Sequence, residues 1–235
     1  MTPVAPRSKH ESRPRISCRI IPAVALLLAM PAIPDAAGAS CPPGGVSGGP
    51  VLVAQLAAVG QAENAVGTLI VRRADGRVDQ LRGQGSLPLF EGDELKTQRG
   101  SKALVRLADG AQLALNEETT FVVRGRAERG AGVLRLFKLL VGELWMRTPG
   151  ATAIEVETPA ATAAIKGTEF NLRVLPDGKS ILTVLEGSVQ LRNESCSPCL
   201  VARAAQSVVE RGRPCAGVVP ADPKPVVGWI VGLVP

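Results

Sequence analysis

The residues with chemistry in them are few. Cys196-Ser197-Pro198-Cys199 is a C-x-x-C, the spacing of a thiol–disulfide active site, where a helix N-terminus lowers the pKa of the first thiol. That chemistry needs a βαβ setting. Here the flanks read as strand and loop, so a structural disulfide is the preferred reading. Together with Cys41 and Cys215 the pair also reaches the ligand count of a four-Cys zinc site. Glu155 and Glu157 stand two apart and share one face of a strand. Paired carboxylates can do acid–base work on a sugar, and a solvated polar face is the preferred alternative. Arg124, Arg126 and Arg129 flank Gly125 and Gly130. Such a run suits anionic lipid or an acidic partner, but is more often a charged loop. Trp145 sits in an apolar context and reads as core rather than as a ligand platform.

Composition narrows these options. The 235 residues contain no Tyr and one His, His10. Histidine is the usual general base at neutral pH and a frequent metal ligand. If the N-terminal segment is removed, Ser-His-Asp and Cys-His schemes lose their base. No cofactor, metal site or catalytic residue is expected. The formal charge is +6. Five of the 27 basic residues and two of the 21 acidic ones precede Ser40, and the remainder carries about +3. That is an ordinary surface, and no nucleic-acid binding is expected.

The N-terminus explains the early charge. Residues 1–19 are basic and polar, Ile20 to Met30 is almost wholly apolar, and small residues lead to Ala37-Gly38-Ala39. This is the layout of a secretory signal ending at residue 39. The apolar run is short for a membrane span, so membrane contact is expected only if the segment stays uncleaved. Cys41 after Gly38-Ala39-Ser40 also allows a lipoprotein, but the bulky aliphatic residue expected three before that Cys is missing. Export makes the location periplasmic or extracellular. In that oxidising setting Cys41, Cys196, Cys199 and Cys215 read as two disulfides. Three pairings are open, and the sequence does not choose among them.

The elements that must position these groups are strands. Residues 40–65 read as a Pro/Gly linker and an apolar lead-in, helix or strand. Residues 66–210 read as one β domain. Turn signals recur at Ala74-Asp75-Gly76, Glu91-Gly92-Asp93, Ala108-Asp109-Gly110, Pro176-Asp177-Gly178 and Glu186-Gly187. Between them the apolar period is two: Phe170, Leu172 and Val174 on one face, Val189 and Leu191 in a second segment, Ala103, Val105 and Leu107 in a third. Leu104 makes that third strand apolar on both sides. Many short strands with close turns mean a sandwich, barrel or β-solenoid. Residues 211–235 form a Pro-rich tail, whose apolar end is expected to add a strand that completes the fold.

Several stretches resemble the FecR domain family. They are Phe90-Glu91-Gly92-Asp93-Glu94-Leu95-Lys96-Thr97, then Ala108-Asp109-Gly110 with Leu113, then Thr158-Pro159-Ala160 followed by Gly167-Thr168-Glu169-Phe170, and finally Thr183 to Val189 with Glu186-Gly187. They stand in the family's order over about residues 66–210. The resemblance implies an all-β, solenoid-like or sandwich-like domain. The motif residues are turn formers and core apolars, so structural roles are expected for all of them. Thr158-Pro159 should end a strand, because Pro cannot donate to a ladder. Gly167 should open the next strand tightly, and Glu186-Gly187 should turn a strand pair.

The best-known members carry a signal from an outer-membrane receptor to a cytoplasmic sigma factor. Only about 19 residues precede the apolar run, fewer than the roughly 40 that a folded anti-sigma domain would need. The expected role is therefore a non-catalytic binding, scaffolding or sensing module of a bacterial envelope, with another envelope protein as partner. The alternatives are a membrane-anchored regulator in a cell-surface signalling relay and a thiol–disulfide oxidoreductase using Cys196 and Cys199.

Overall fold

The structure is a computed structural model and describes residues 57–129, 132–150, 152–194 and 196–234. The signal segment, Cys41 and the Pro/Gly linker lie outside them. The described chain forms β1 (Gly60–Arg72), β2 (Val78–Leu89), β3 (Glu94–Thr97), β4 (Lys102–Leu107), β5 (Gln112–Leu115), β6 (Thr120–Arg129), β7 (Gly132–Arg147), β8 (Ala153–Glu157), β9 (Thr162–Lys166), β10 (Glu169–Val174), β11 (Ser180–Glu186), β12 (Ser188–Asn193), β13 (Cys196–Ala202), β14 (Ala205–Val209) and β15 (Val219–Pro220). A single helical turn, α1 (Pro223–Val226), and a 3-10 turn (Gly228–Ile230) follow. Among the described residues no helix is long and apolar enough to cross a membrane.

Two long strands organise the fold, because each changes partners along its length. In β1, residues 60–66 pair with β4 and residues 69–72 with β3. In β7, residues 132–141 pair with β6 and residues 144–147 with β5. The result is a closed ring of six strands, β7-β5-β4-β1-β3-β6 and back to β7. Beyond the ring, β7 seeds two ladders. Ladder A runs β7-β10-β11-β14-β15, from residues 142–147. Ladder B runs β7-β8-β9-β12-β13, from residues 134–138, and its β7–β8 pair is parallel. The chain visits the ladders alternately. It crosses at residues 148–152, 167–168, 187 and 203–204.

Buried side chains from the ring and both ladders join one core. Leu69, Leu95, Phe121, Phe137, Leu144, Phe170, Leu172, Val174, Val184, Val189 and Leu191 belong to it, all at most 2 % exposed. Phe121 and Phe137 stack with centroids 5.3 Å apart. The period-two reading thus selects the core faces correctly. Leu104 is also buried, in a separate cluster on the outer face.

The chain is all-β as expected, and the closed ring is the barrel among the three readings of the strand pattern, not the solenoid-like or sandwich-like domain that the resemblance implies. Ring closure depends on β1 and β7 changing partners midway, which no local pattern encodes. The boundary expected at residue 65/66 falls inside β1, so residues 60–65 are strand. The turn signals at 74–76, 91–93, 108–110 and 176–178 lie between consecutive strands. Glu186-Gly187 is not a hairpin turn: β11 belongs to ladder A and β12 to ladder B, so Gly187 carries the chain across. The tail also differs from expectation. Its apolar end forms helical turns and packs on the outer face of the ring instead of adding a strand. Four Pro between residues 214 and 225 disfavour an extended ladder strand there.

Candidate binding site

The family-type residues do not converge on one point. Gly92, Asp93 and Thr97 organise the corner around β3. Asp93 is buried and accepts hydrogen bonds from Phe90 N (2.8 Å) and Arg73 Nη1 (2.7 Å). Thr97 donates to Asn116 O (2.5 Å), and its hydroxyl accepts from Thr119 N (2.9 Å). Asp109 and Gly110 shape the β4–β5 turn, where Ala111 N donates to Asp109 Oδ1 (3.0 Å). Arg135 makes an ion pair with Asp109 (2.5 Å).

Thr158 and Pro159 begin the β8–β9 connection, as Pro requires. The Thr158 hydroxyl donates to Ala161 O (2.8 Å), and it accepts from Ala161 N (3.0 Å) and Ser180 Oγ (2.8 Å). The N–H and C=O of Ala161 are thereby both paired within the turn. Gly167, Thr168 and Gly187 do come together, at the crossings. Thr148 N donates to Thr168 O (2.9 Å), and Thr168 N to Thr148 Oγ1 (2.9 Å). Gly167 has φ +62°, and a Cβ there would meet Gly150 Cα at 2.9 Å. Phe170 is core, and Glu186 is exposed.

The outer side of ladder B holds a cleft of about 610 Å³ beside the Thr158-Pro159 turn. Lys138, Leu140, Thr162, Arg192, Glu194 and Arg211 are among its walls. Arg211 Nε donates to Pro159 O (3.0 Å). Both candidate carboxylates are held in cross-strand ion pairs: Glu157 with Lys138 (2.8 Å) and Glu155 with Arg192. The polar-face reading of this pair therefore fits the geometry, and neither carboxylate is left facing its neighbour as a catalytic dyad. Of the basic run, Arg126 pairs with Glu91 (3.1 Å) and Arg124 is exposed. Trp145 is fully buried, and its Nε1 donates to Glu169 Oε1 (3.0 Å).

The cleft wall at Asn193 and Glu194 leads into β13, the last strand of ladder B. Among the described residues β13 pairs only with β12. Its sequence, CSPCLVA, carries no charge, and Leu200 is 61 % exposed. The disulfide joins Cys199 to Cys215, 16 residues apart. The pairing within the C-x-x-C, and with it a Cys196–Cys199 redox couple, is not what the structure forms. The bond instead fastens the 211–215 loop beside the cleft. Loss of a bridge closing a loop of this length should cost about 3 kcal/mol in the chain-entropy account. Cys215→Ser should therefore lower the urea midpoint, and peptide mapping without reductant should recover a Cys199–Cys215 fragment. Among the described residues no cluster of His, Cys, Asp and Glu is placed to hold a metal.

Sequence reasoning missed Arg73. It reaches Asp79 (2.6 Å), Pro88 O (2.7 Å) and Asp93, and lies over the Phe90 ring. Its partners lie 6, 15 and 20 residues onward, a spacing without any motif. Glu143 was missed too, although it accepts from both Asn116 Nδ2 and Asn171 Nδ2 (2.8 Å each).

Comparison with known proteins fits this architecture. The family model described as FecR protein matches residues 93–190, from the Asp93 corner to β12. No curated protein matches the chain. Two crystal structures of a "putative anti-sigma factor" from Parabacteroides distasonis, at 1.65 and 2.50 Å resolution, share the fold. Both have a TM-score of 0.50, with 22 % and 21 % identity, over 59 % of this chain. The matches span 65 % and 64 % of those proteins, under two thirds of their length. From the Asp93 corner through the Thr158-Pro159 turn to the Gly187 crossing, residues 93–190 are a FecR domain.

Proposed function

We propose that this chain is an exported, non-catalytic module of a bacterial envelope that binds another protein by accepting an extended segment on the open edge of β13. The observation that carries the reading is the edge itself. Unpaired edge strands are normally blunted by charge, Pro or bulges. β2 is blunted by Asp79, Arg82 and a left-handed Gly83, and β15 by its length and Pro220. β13 is blunted only at its start, by Pro198 and a bulge before Cys199; from Cys199 to Ala202 it has no Pro and no charge, and Leu200 is exposed. Backbone pairing along such an edge gives affinity, and neighbouring pockets give selectivity. The cleft beside Arg192 and Arg211 is positioned to read side chains of the incoming segment. Cross-linked capture from envelope fractions should recover a specific protein with the parent chain and with Val78→Lys on β2, and lose it with Leu200→Lys. Equal capture by Leu200→Lys would remove β13 from the interface.

The likeness to structures described as anti-sigma factors favours a second reading, a membrane-anchored regulator of cell-surface signalling. N-terminal sequencing of the exported protein separates the two. A chain beginning at Ser40 leaves no anchor from residues 20–33.

A further inference from the structure

Outward positions of a sheet face that meets water are normally polar. The outer face of the ring breaks that rule in one place. Leu104 on β4, Ala114 on β5 and Trp145 on β7 are direct cross-strand neighbours and form an apolar row on the outer face. Polar residues bound it on both sides: Asn64 pairs opposite Leu104, and Asn171 opposite Trp145. The C-terminal segment lies on this row. Leu233, 5 % exposed, is buried with Leu104, Ala114 and Trp145, and Val227, Trp229, Ile230 and Val234 pack around it.

The hold of that segment is slight. Leu233 is the one residue after Val209 that is buried among those described. Few polar contacts fasten it: Lys102 Nζ donates to Trp229 O (2.8 Å), and Ala221 N to Ala204 O (2.9 Å). Trp229 Nε1 is buried without an acceptor, a cost that release to water would relieve. α1 spans four residues, too short to persist as an isolated helix. Beside Leu104, Leu233 and Val234 a hollow of about 450 Å³ also reaches Glu63, Asn64 and Gln84.

We infer that residues 223–234 are a releasable latch, and that the Leu104–Ala114–Trp145 row is a docking site for a short uncharged apolar segment, occupied here by the chain's own C-terminus. The site lies on β4, β5 and β7 of the ring, away from the β13 edge, and does not depend on the function proposed for that edge. A segment spaced like Trp229, Ile230, Leu233 and Val234 would compete for the row. An apolar row of this kind, once uncovered on a folded domain, marks an interaction surface.

The chain's only two tryptophans, Trp145 and Trp229, both report on the latch. In a Trp229→Phe background, emission comes from Trp145 alone. A variant ending at Pro220 should keep its β-sheet circular dichroism, and acrylamide should quench Trp145 several-fold more efficiently. A synthetic peptide of residues 221–235 added in trans should restore protection saturably, and the same peptide carrying Leu233→Asp should not. In the full chain, Leu233→Asp should raise quenching, while Val231→Asp, at a position 83 % exposed, should not. Unchanged protection of Trp145 in the shortened chain, or a peptide that fails to restore it, overturns the docking site. Loss of β-sheet signal in full-length Leu233→Asp overturns the latch, because the segment is then an integral part of the core.

Discussion

Replacing Asp93 with Ala should remove about 3 kcal/mol of stability, the penalty of stripping one partner from a buried ion pair. Asp93 is 1 % exposed, and its Oδ2 serves both Arg73 Nη1 and Phe90 N. Burial works against the charge on Arg73, but the hydrogen bonds it donates to Asp79 and Asp93 outweigh it, and its pKa lies above the ordinary guanidinium value. Without Asp93 that guanidinium keeps Asp79, which is half-exposed, and Pro88 O. Asp79→Ala should cost under about 1 kcal/mol, as solvent-screened pairs do. Asp93→Asn should fall between, since it keeps an acceptor for Phe90 N and loses the charge. Urea unfolding reads the difference as a shift in midpoint at constant slope. For a chain of this size, 3 kcal/mol corresponds to roughly 6–12 °C in Tm. Equal effects of Asp93→Ala and Asp79→Ala would show that burial of the pair does not set its worth.

Asp93 also shows what the sequence makes legible. Its place after Glu91-Gly92 marks a turn, because Gly accepts a positive φ and Asp bonds nearby backbone. Gly92 has φ +89°, and Asp93 binds Phe90 N three residues back. Local signals of this kind found the β1–β2, β2–β3, β4–β5 and β10–β11 turns and, through period two, the inward faces of β4, β10 and β12. They fail where the structure depends on which distant strand lies alongside. Arg73 carries no local signal, since all its partners come from later turns. A Gly between two strands reads the same whether the chain folds back or crosses over, so Gly187 was misassigned. The cysteines have the same limitation. Cys199 finds Cys215 because the 211–215 loop returns along ladder B, and only the fold contains that return. Leu104 is the intermediate case. Its strand is visibly apolar on both sides, which demands a cover, but the sequence does not say that residues 227–234 supply it.

The most damaging single substitution outside the apolar core should be Gly142→Ala, at roughly 3–5 kcal/mol from left-handed backbone strain and overpacking together. Gly142 sits where β7 stops pairing with β6 and β8 and starts pairing with β5 and β10. Its φ is +99°, and a Cβ there would collide with Thr119 Cα and Oγ1. Thr119 has no room to yield. It is fully buried, Glu143 N donates to its Oγ1 (3.0 Å), and its own N–H donates to Thr97 Oγ1 (2.9 Å). Pushing it aside would disturb Thr97 and the Glu143 carboxylate that receives Asn116 and Asn171. Gly83→Ala is the control: φ is +69° there, with nothing within 4 Å of the added carbon. It should lose only the about 1–2 kcal/mol of left-handed strain. The difference between the two variants in urea unfolding isolates the collision at the junction. If they lose the same amount, β7 bends freely at residue 142, and the six-strand ring is not what fixes where the two ladders begin.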